Sequence, residues 1–202
     1  MLDIGCGRQV PNLSRFKGRA SVLIGIDVVE FEISDPDLVL LTSSICDMRS
    51  IATNSIDLAY SRSVMEHIRD VEAAYAEVYR VLKPGGRYIF LTPNLWDYAS
   101  LIACVTPNVL HGKIVRWTEG RAEEDTFPTF YKSNTHRRIA QLAEQSFLSI
   151  RQFEYLGQYP TYFRFSETLF RLASRYEKAL ERHPGLHWLR GWILCMLCKP
   201  AE

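Results

Sequence analysis

Short apolar runs, the first two ending at a glycine and an acid, recur through the first half of this chain, and they leave few folds open. Leu2-Asp3-Ile4 is the stump of a strand running into Gly5-Cys6-Gly7. Ser21 to Ile26 ends at Asp27, Leu38 to Leu41 and Ile56 to Tyr60 follow, and Arg87 to Thr92 makes a fifth run. Runs this short and this apolar fit strands buried on both faces of a parallel sheet. Parallel neighbours need crossover connections, usually helical. The clearest helix spans Asp70 to Leu82, where Val71, Ala74, Tyr75, Val78, Tyr79 and Leu82 form one stripe. Asp70 fits its N-cap, and Lys83-Pro84-Gly85-Gly86 ends it. The alternation predicts an α/β doubly wound sheet with helices on both faces.

The second half is less regular. Helices are predicted over Asp97 to Val105, Thr135 to Ser146 and Ser166 to Leu180, strands over Phe147 to Tyr155 and Trp192 to Cys198, and a charged loop over Glu119 to Asp125. On the helix capped by Ser166, residues Leu169, Leu172, Ala173, Tyr176 and Leu180 are predicted to face inward. Glu167, Glu177 and Glu181 offset Arg164, Arg171, Arg175 and Lys178 on a solvated face. With 202 residues and no repeat or low-complexity linker, one domain is expected over 1–202, a nucleotide-side half at 1–94 and an acceptor-side half at 95–202.

Charge narrows the partners. Lys and Arg number 24 against 23 Asp and Glu, a net +1, which lacks the basic excess of a nucleic-acid footprint. No apolar run approaches the roughly 18 residues of a membrane span, and Asp3 with Gly5 to Gly7 interrupts any signal-peptide core. A soluble, cytoplasmic protein with no nucleic-acid partner and no stable membrane insertion is expected. Five cysteines make no disulfide framework. Cys195 and Cys198 stand three apart on a predicted strand, so their sulfurs point to opposite faces and suit neither metal nor redox work.

The glycine turn after Ile4 carries the first chemical signal. Glycines at a strand end let a ligand approach the backbone closely, and in open α/β sheets ligands sit beyond the carboxyl ends of strands. Val10 stands where a dinucleotide fingerprint needs its last glycine, and the carboxylate of Asp3 would repel a pyrophosphate. That carboxylate favours an ammonium instead, as in the amino-acid moiety of S-adenosylmethionine. Asp27 can accept from both ribose hydroxyls or cap a helix beginning at Val28. Asp47 can accept from an adenine amine, with Met48 against the ring, or close an Asx turn.

The strings LDIGCG, GIDVVE, CDM, SIDLAYSRSVMEHIRD and EVYRVLKPGGRYIFLTPN, in that order, resemble the class I S-adenosylmethionine-dependent methyltransferases of the type 11 group. The resemblance covers Leu2 to Asn94. It implies a Rossmann-like sheet of seven strands, the last antiparallel and inserted between the fifth and sixth, a place that Trp192 to Cys198 fits. It implies a cradle of Asp3, Gly5, Cys6 and Gly7 for the cofactor's amino-acid end, Asp27 and Val28 at the ribose, Asp47 and Met48 at the adenine, and Ser61, just past the fourth strand, on the methionine side. Two departures stand out. Gln9 replaces a third glycine, with Val10-Pro11 after it, and is expected to alter the loop or shrink the pocket. With Met1 read inside the first strand, the lead-in helix usual before it is expected to be absent and the site to be more open.

Methyl transfer from a sulfonium asks mainly for alignment, and an oxygen acceptor also asks for a base. Glu66-His67 follows the fourth strand on the same rim, with His67 either the base or a ring that fastens the loop; His111 and His136 are further candidates. The acceptor is expected to be a small molecule or a glycan or lipid-linked precursor. Thr126 to Tyr131 resembles family members of glycan assembly. Eight aromatics between Phe147 and Phe170 (Phe147, Phe153, Tyr155, Tyr159, Tyr162, Phe163, Phe165 and Phe170) fit either a core or an acceptor pocket. The rival readings are a binding module of the same fold that has lost turnover, and a nicotinamide-dependent oxidoreductase, which Asp3 and Val10 disfavour. A nucleic-acid methyltransferase is disfavoured because Thr92-Pro93-Asn94-Leu95 lacks the tetrad that stacks a flipped base.

Overall fold

The computed structural model describes residues 1–105 and 127–201, with the side chains of 103–105 left aside. Seven strands form one sheet: β1 Leu2–Ile4, β2 Leu23–Asp27, β3 Leu38–Thr42, β4 Ile56–Arg62, β5 Leu82–Pro93, β6 Ser149–Leu156 and β7 Trp192–Cys198. Their spatial order is β3-β2-β1-β4-β5-β7-β6. The pairs from β3 to β5 are parallel, and β7 lies antiparallel between β5 and β6, as the sequence led us to expect. Four α-helices are described: α1 Val71–Val81, α2 Tyr98–Val105, α3 His136–Gln145 and α4 Glu167–Arg182.

Helix α1 forms as its stripe predicts. The Asp70 carboxylate accepts from the Ala73 amide at 3.0 Å, and Val71, Ala74, Tyr75, Val78 and Val81 are buried. With Ile139, Leu142 and Ala143 of α3 they cover one sheet face, made of Leu2, Ile4, Ala59, Tyr88, Phe90, Ile193, Cys195 and Leu197. On the opposite face a smaller cluster of Cys6, Val10, Leu13, Leu23 and Leu38 lies over the β3-β2-β1 side.

Not every crossover is helical. Between β1 and β2 there is only a 3-10 turn at Leu13–Phe16, and neither 28–37 nor 43–55 contains an α-helix. These stretches are short and broken by Pro11, Gly18 and Pro36, and Val28, Val29 and Ile33 are poor helix formers. Side chains do the work of the missing helices. The Arg80 guanidinium on α1 donates to the carbonyls of Met48 at 2.8 Å and Ile51 at 2.9 Å and to the Thr53 hydroxyl at 3.3 Å. Glu77 holds that guanidinium at 2.7 Å and accepts from the Met48 amide at 2.6 Å. The pair fastens the β3–β4 connection to α1.

Most of the predicted inward stripe of α4 is left uncovered. Leu180 is buried, while Leu169, Leu172 and Tyr176 are exposed. Glu177, expected in solvent, is buried. Arg80→Ala would leave two backbone carbonyls and a carboxylate without their donor. It should cost about 2 kcal/mol, read as a fall in Tm of roughly 4–8 °C. Arg80→Lys should not restore it, because a point ammonium cannot span the fork.

Candidate functional site

The glycine turn is fixed from both sides. Gly5 has φ +73°, and a Cβ there would sit 2.3 Å from Cγ2 of Val64, so the loop lies directly against the chain leaving β4. Gly7 has φ +74° with open space where a side chain would be. The Gly7 amide donates to Asp27 Oδ2 at 2.7 Å, tying the loop to the end of β2. Asp27 Oδ1 accepts from the amides of Val28 at 2.7 Å and Val29 at 3.3 Å. Asp27 therefore caps the turn after β2 rather than a helix, since no helix begins there.

Asp3 lies on β1 beside Tyr60 of β4 in register and is buried. The Tyr60 hydroxyl donates to it at 2.6 Å. Burial pushes its pKa up to about 6; the tyrosine hydrogen bond opposes this and the nearby Asp27 charge adds to it. A carboxyl whose pKa climbs from 3.8 to about 6 on folding stabilises the fold least when ionised. Stability is fullest below pH 4 and falls as pH rises toward 6, by roughly 3 kcal/mol in all.

The other predicted residues are placed as follows. Cys6 turns its side chain into the small cluster, where burial pushes the thiol to about 12; its amide donates to the Ile26 carbonyl, so only its peptide borders the turn. Val28 is exposed beside Asp27. Asp47 is half exposed and held bidentately by Arg49 at 2.6 and 2.7 Å. That hydrogen-bonded guanidinium holds its carboxyl below the usual range. Asp47 and Arg49 border an open depression of about 470 Å³ with Thr42, Ser43, Ser44 and Ser50.

Two expectations are corrected. Met48 is fully buried in the main core, drawn there by the Glu77 and Arg80 bonds to its backbone, and does not line the depression. Ser61 lies within β4, not past it, and shares a 2.6 Å hydrogen bond with the Tyr88 hydroxyl in the buried face. Gln9 is exposed, and its amide donates to Glu32 at 3.3 Å, so its bulk is carried outward.

Glu66 and His67 form a 3-10 turn after β4, under the segment 127–131. The Glu66 carboxylate is buried and accepts from the Thr92 hydroxyl at 3.0 Å; that hydroxyl accepts from Asn134 at 2.8 Å. The Glu66 carbonyl accepts from the amides of Phe130 and Tyr131. His67 Nδ1 lies 3.0 Å from the Pro128 carbonyl, which can only accept. The carbonyl calls for a proton on Nδ1, so in the neutral ring Nε2, 3.9 Å from Glu66 Oε1, is the nitrogen with the lone pair. His136 is exposed, edge-on to Phe153 at 4.6 Å on β6, while His111 lies outside the described residues. Among the eight aromatics, Phe147 packs on Tyr79 of α1, away from this rim, and Phe163 stacks on Tyr98. No group of three or more His, Cys, Asp or Glu is placed to hold a metal among the described residues. No described helix is long and apolar enough to cross a membrane.

Comparison with known proteins agrees with this frame. The profile of the family described as a methyltransferase domain matches residues 2–90. Over that stretch the chain is similar to the type 11 group of class I methyltransferases. The chain is 30% identical over 107 residues to a malonyl-[acyl-carrier protein] O-methyltransferase of Hahella chejuensis, a match spanning 48% of this chain but 38% of that protein. It spans less than half of the length of this relative. A geranyl diphosphate C-methyltransferase of Streptomyces coelicolor, solved with S-adenosyl-L-homocysteine, superposes with TM-score 0.58 at 14% identity, covering 98% of this chain and 71% of that one. The [4+2]-cyclase SpnF superposes with TM-score 0.61 at 15% identity, covering 100% and 74%. These two likenesses concern the fold.

Tyr60 was not singled out by its sequence, although the β1–β4 adjacency places it opposite Asp3. Two outcomes follow from the loop. Asp3→Asn should raise Tm by several degrees at pH 8 without ligand and leave it unchanged at pH 4. Gly5→Ala should cost several times more stability than Gly7→Ala, because only the first adds a clash to the left-handed backbone.

Proposed function

We propose that this chain binds S-adenosylmethionine across the glycine turn and transfers its methyl group to an oxygen of a small molecule or glycan precursor held by residues 95–202. The observation that carries the reading is Asp3, a buried carboxyl at the turn whose hydrogen-bond donor is a neutral tyrosine. Such a group is matched by an ammonium and mismatched by a pyrophosphate. The residues present fit the rest of the cofactor. Gly7 leaves room for close approach. A carboxylate has about four lone-pair sites, so Asp27 can accept from ribose hydroxyls beyond its amide bonds, with exposed Val28 alongside. Asp47, at the mouth of the serine-lined depression, can exchange Arg49 for an adenine amine.

S-adenosylmethionine supplies a sulfonium methyl with a good leaving group, so this chain's task is alignment. His67 takes the acceptor's proton at Nε2, with the Pro128 carbonyl holding the tautomer and Glu66 beside the ring. A second reading, a module that binds without turnover, draws on the same geometry, since Asp27 and Asp47 are both already bonded within the chain. It predicts cofactor binding with no methyl transfer to any acceptor.

Calorimetry with S-adenosylhomocysteine, which keeps the ammonium, tests the reading. Affinity should fall as pH drops from 7.5 to 5 and Asp3 protonates. Asp3→Asn should bind more weakly at pH 7.5 and lose that dependence, whereas a flat wild-type profile would remove Asp3 from the cradle. Asp27→Asn should weaken binding roughly 10- to 100-fold, the worth of hydrogen bonds to a charged group.

A further inference from the structure

A second acidic cluster stands at the carboxyl end of β5, outside the cofactor cradle. Asp97 follows β5 and opens α2; it is buried, accepts from the Ala99 amide at 2.9 Å and is held by Gln158 Nε2 at 2.7 Å. Its bonds account for it. Those of Glu177 do not. Glu177 projects from α4 with 7% of its surface exposed, and neither carboxyl oxygen has a hydrogen-bond partner. The nearby Tyr98 hydroxyl is buried and equally without one. Tyr98 stands edge-on to Tyr176 at 5.8 Å and stacked on Phe163 at 5.7 Å, so aromatic rings wall the place.

A carboxyl sunk without a partner is among the least favourable features a fold can keep. Burial raises its pKa most and the Asp97 charge adds to this, while the nearby Gln158 amide, Gln158 side chain and Tyr98 hydroxyl oppose it without reversing it. Helix α4 packs chiefly against the turns at 161–163 and 184–189 rather than on the sheet, and Leu169 and Leu172 stay exposed along it.

We propose that Glu177 and the Tyr98 hydroxyl form an acceptor subsite for an ammonium group, walled by Tyr98, Tyr176 and Phe163. An ammonium offers N–H donors to both unpaired groups and a charge to the acidic pair, and aromatic faces favour a cation. This rests on the methyltransferase reading and narrows it. A protonated amine has no lone pair, so it anchors the acceptor and does not receive the methyl. The nucleophilic oxygen then lies toward His67, in the turn that follows the neighbouring strand β4. The substrate class is a small molecule bearing both an amine and a hydroxyl.

The test titrates matched pairs at pH 7.5, tyramine against tyrosol and glucosamine against glucose, into protein with and without S-adenosylhomocysteine. Within one pair, the amine should bind at least tenfold more tightly than its hydroxyl analogue. Glu177→Gln should abolish that preference while leaving S-adenosylhomocysteine affinity within twofold. Glu177→Leu should also raise Tm by a few degrees, the opposite of what losing a structural residue does. Equal binding of amine and alcohol, no binding of either, or an undiminished preference in Glu177→Gln would overturn the subsite. Failure of S-adenosylhomocysteine to bind would instead overturn the cofactor reading and leave the amine comparison to be read on its own.

Discussion

The arrangement hangs on the hydrogen bond from the Gly7 amide to Asp27. It joins the turn after β1 to the end of β2, while Gly5 presses the same turn against Val64 beyond β4. Three adjacent strand ends are thereby held at one rim, with β1 in the middle. Asp3, one residue before that strand's end, is enclosed between them and loses its water. Its raised pKa follows from that enclosure, and the β1–β4 register supplies its hydrogen bond from Tyr60. A side chain larger than hydrogen at Gly5 would push the turn off Val64 and return Asp3 to solvent.

The same economy appears where helices are missing. A crossover of 13 residues between β3 and β4 is too short and polar to build a helix with its own core. Glu77 and Arg80 of α1 bond to its backbone instead, and in doing so they hold Asp47 at the surface and Met48 beneath it. A charged pair on the helix after β4 thus sets the position of a residue on the far side of that strand in sequence. The price is a connection whose stability rests on a few directional bonds.

Much of the fold was legible in local patterns. The α1 stripe and its Asp70 cap, the β7 run and the Gly5–Gly7 turn each need only neighbours in sequence to be recognised. What stayed hidden depends on which residues meet across the fold. Met48 reads as a surface neighbour of Asp47 until Arg80 is seen holding it from below. Ser61 reads as a loop residue until β4 extends through Arg62 and brings it to Tyr88. Glu177 sits among charges that look solvated, and only the approach of Tyr98 and Gln158 turns it inward. The crossovers are a separate case: parallel pairing usually brings helices, but proline and β-branched residues deny them here.

The central claim is that the rim built by Asp3, Gly7 and Asp27 takes an adenosyl amino acid and not a dinucleotide. Thermal unfolding with saturating S-adenosylhomocysteine, against NADH at the same concentration, tests it most directly. Binding at a concentration 100 times the dissociation constant adds about 2.7 kcal/mol, a rise of roughly 5–11 °C for a chain of this size. The account predicts that rise with S-adenosylhomocysteine and none with NADH. A rise with NADH, or no rise with S-adenosylhomocysteine in a folded sample, would contradict it.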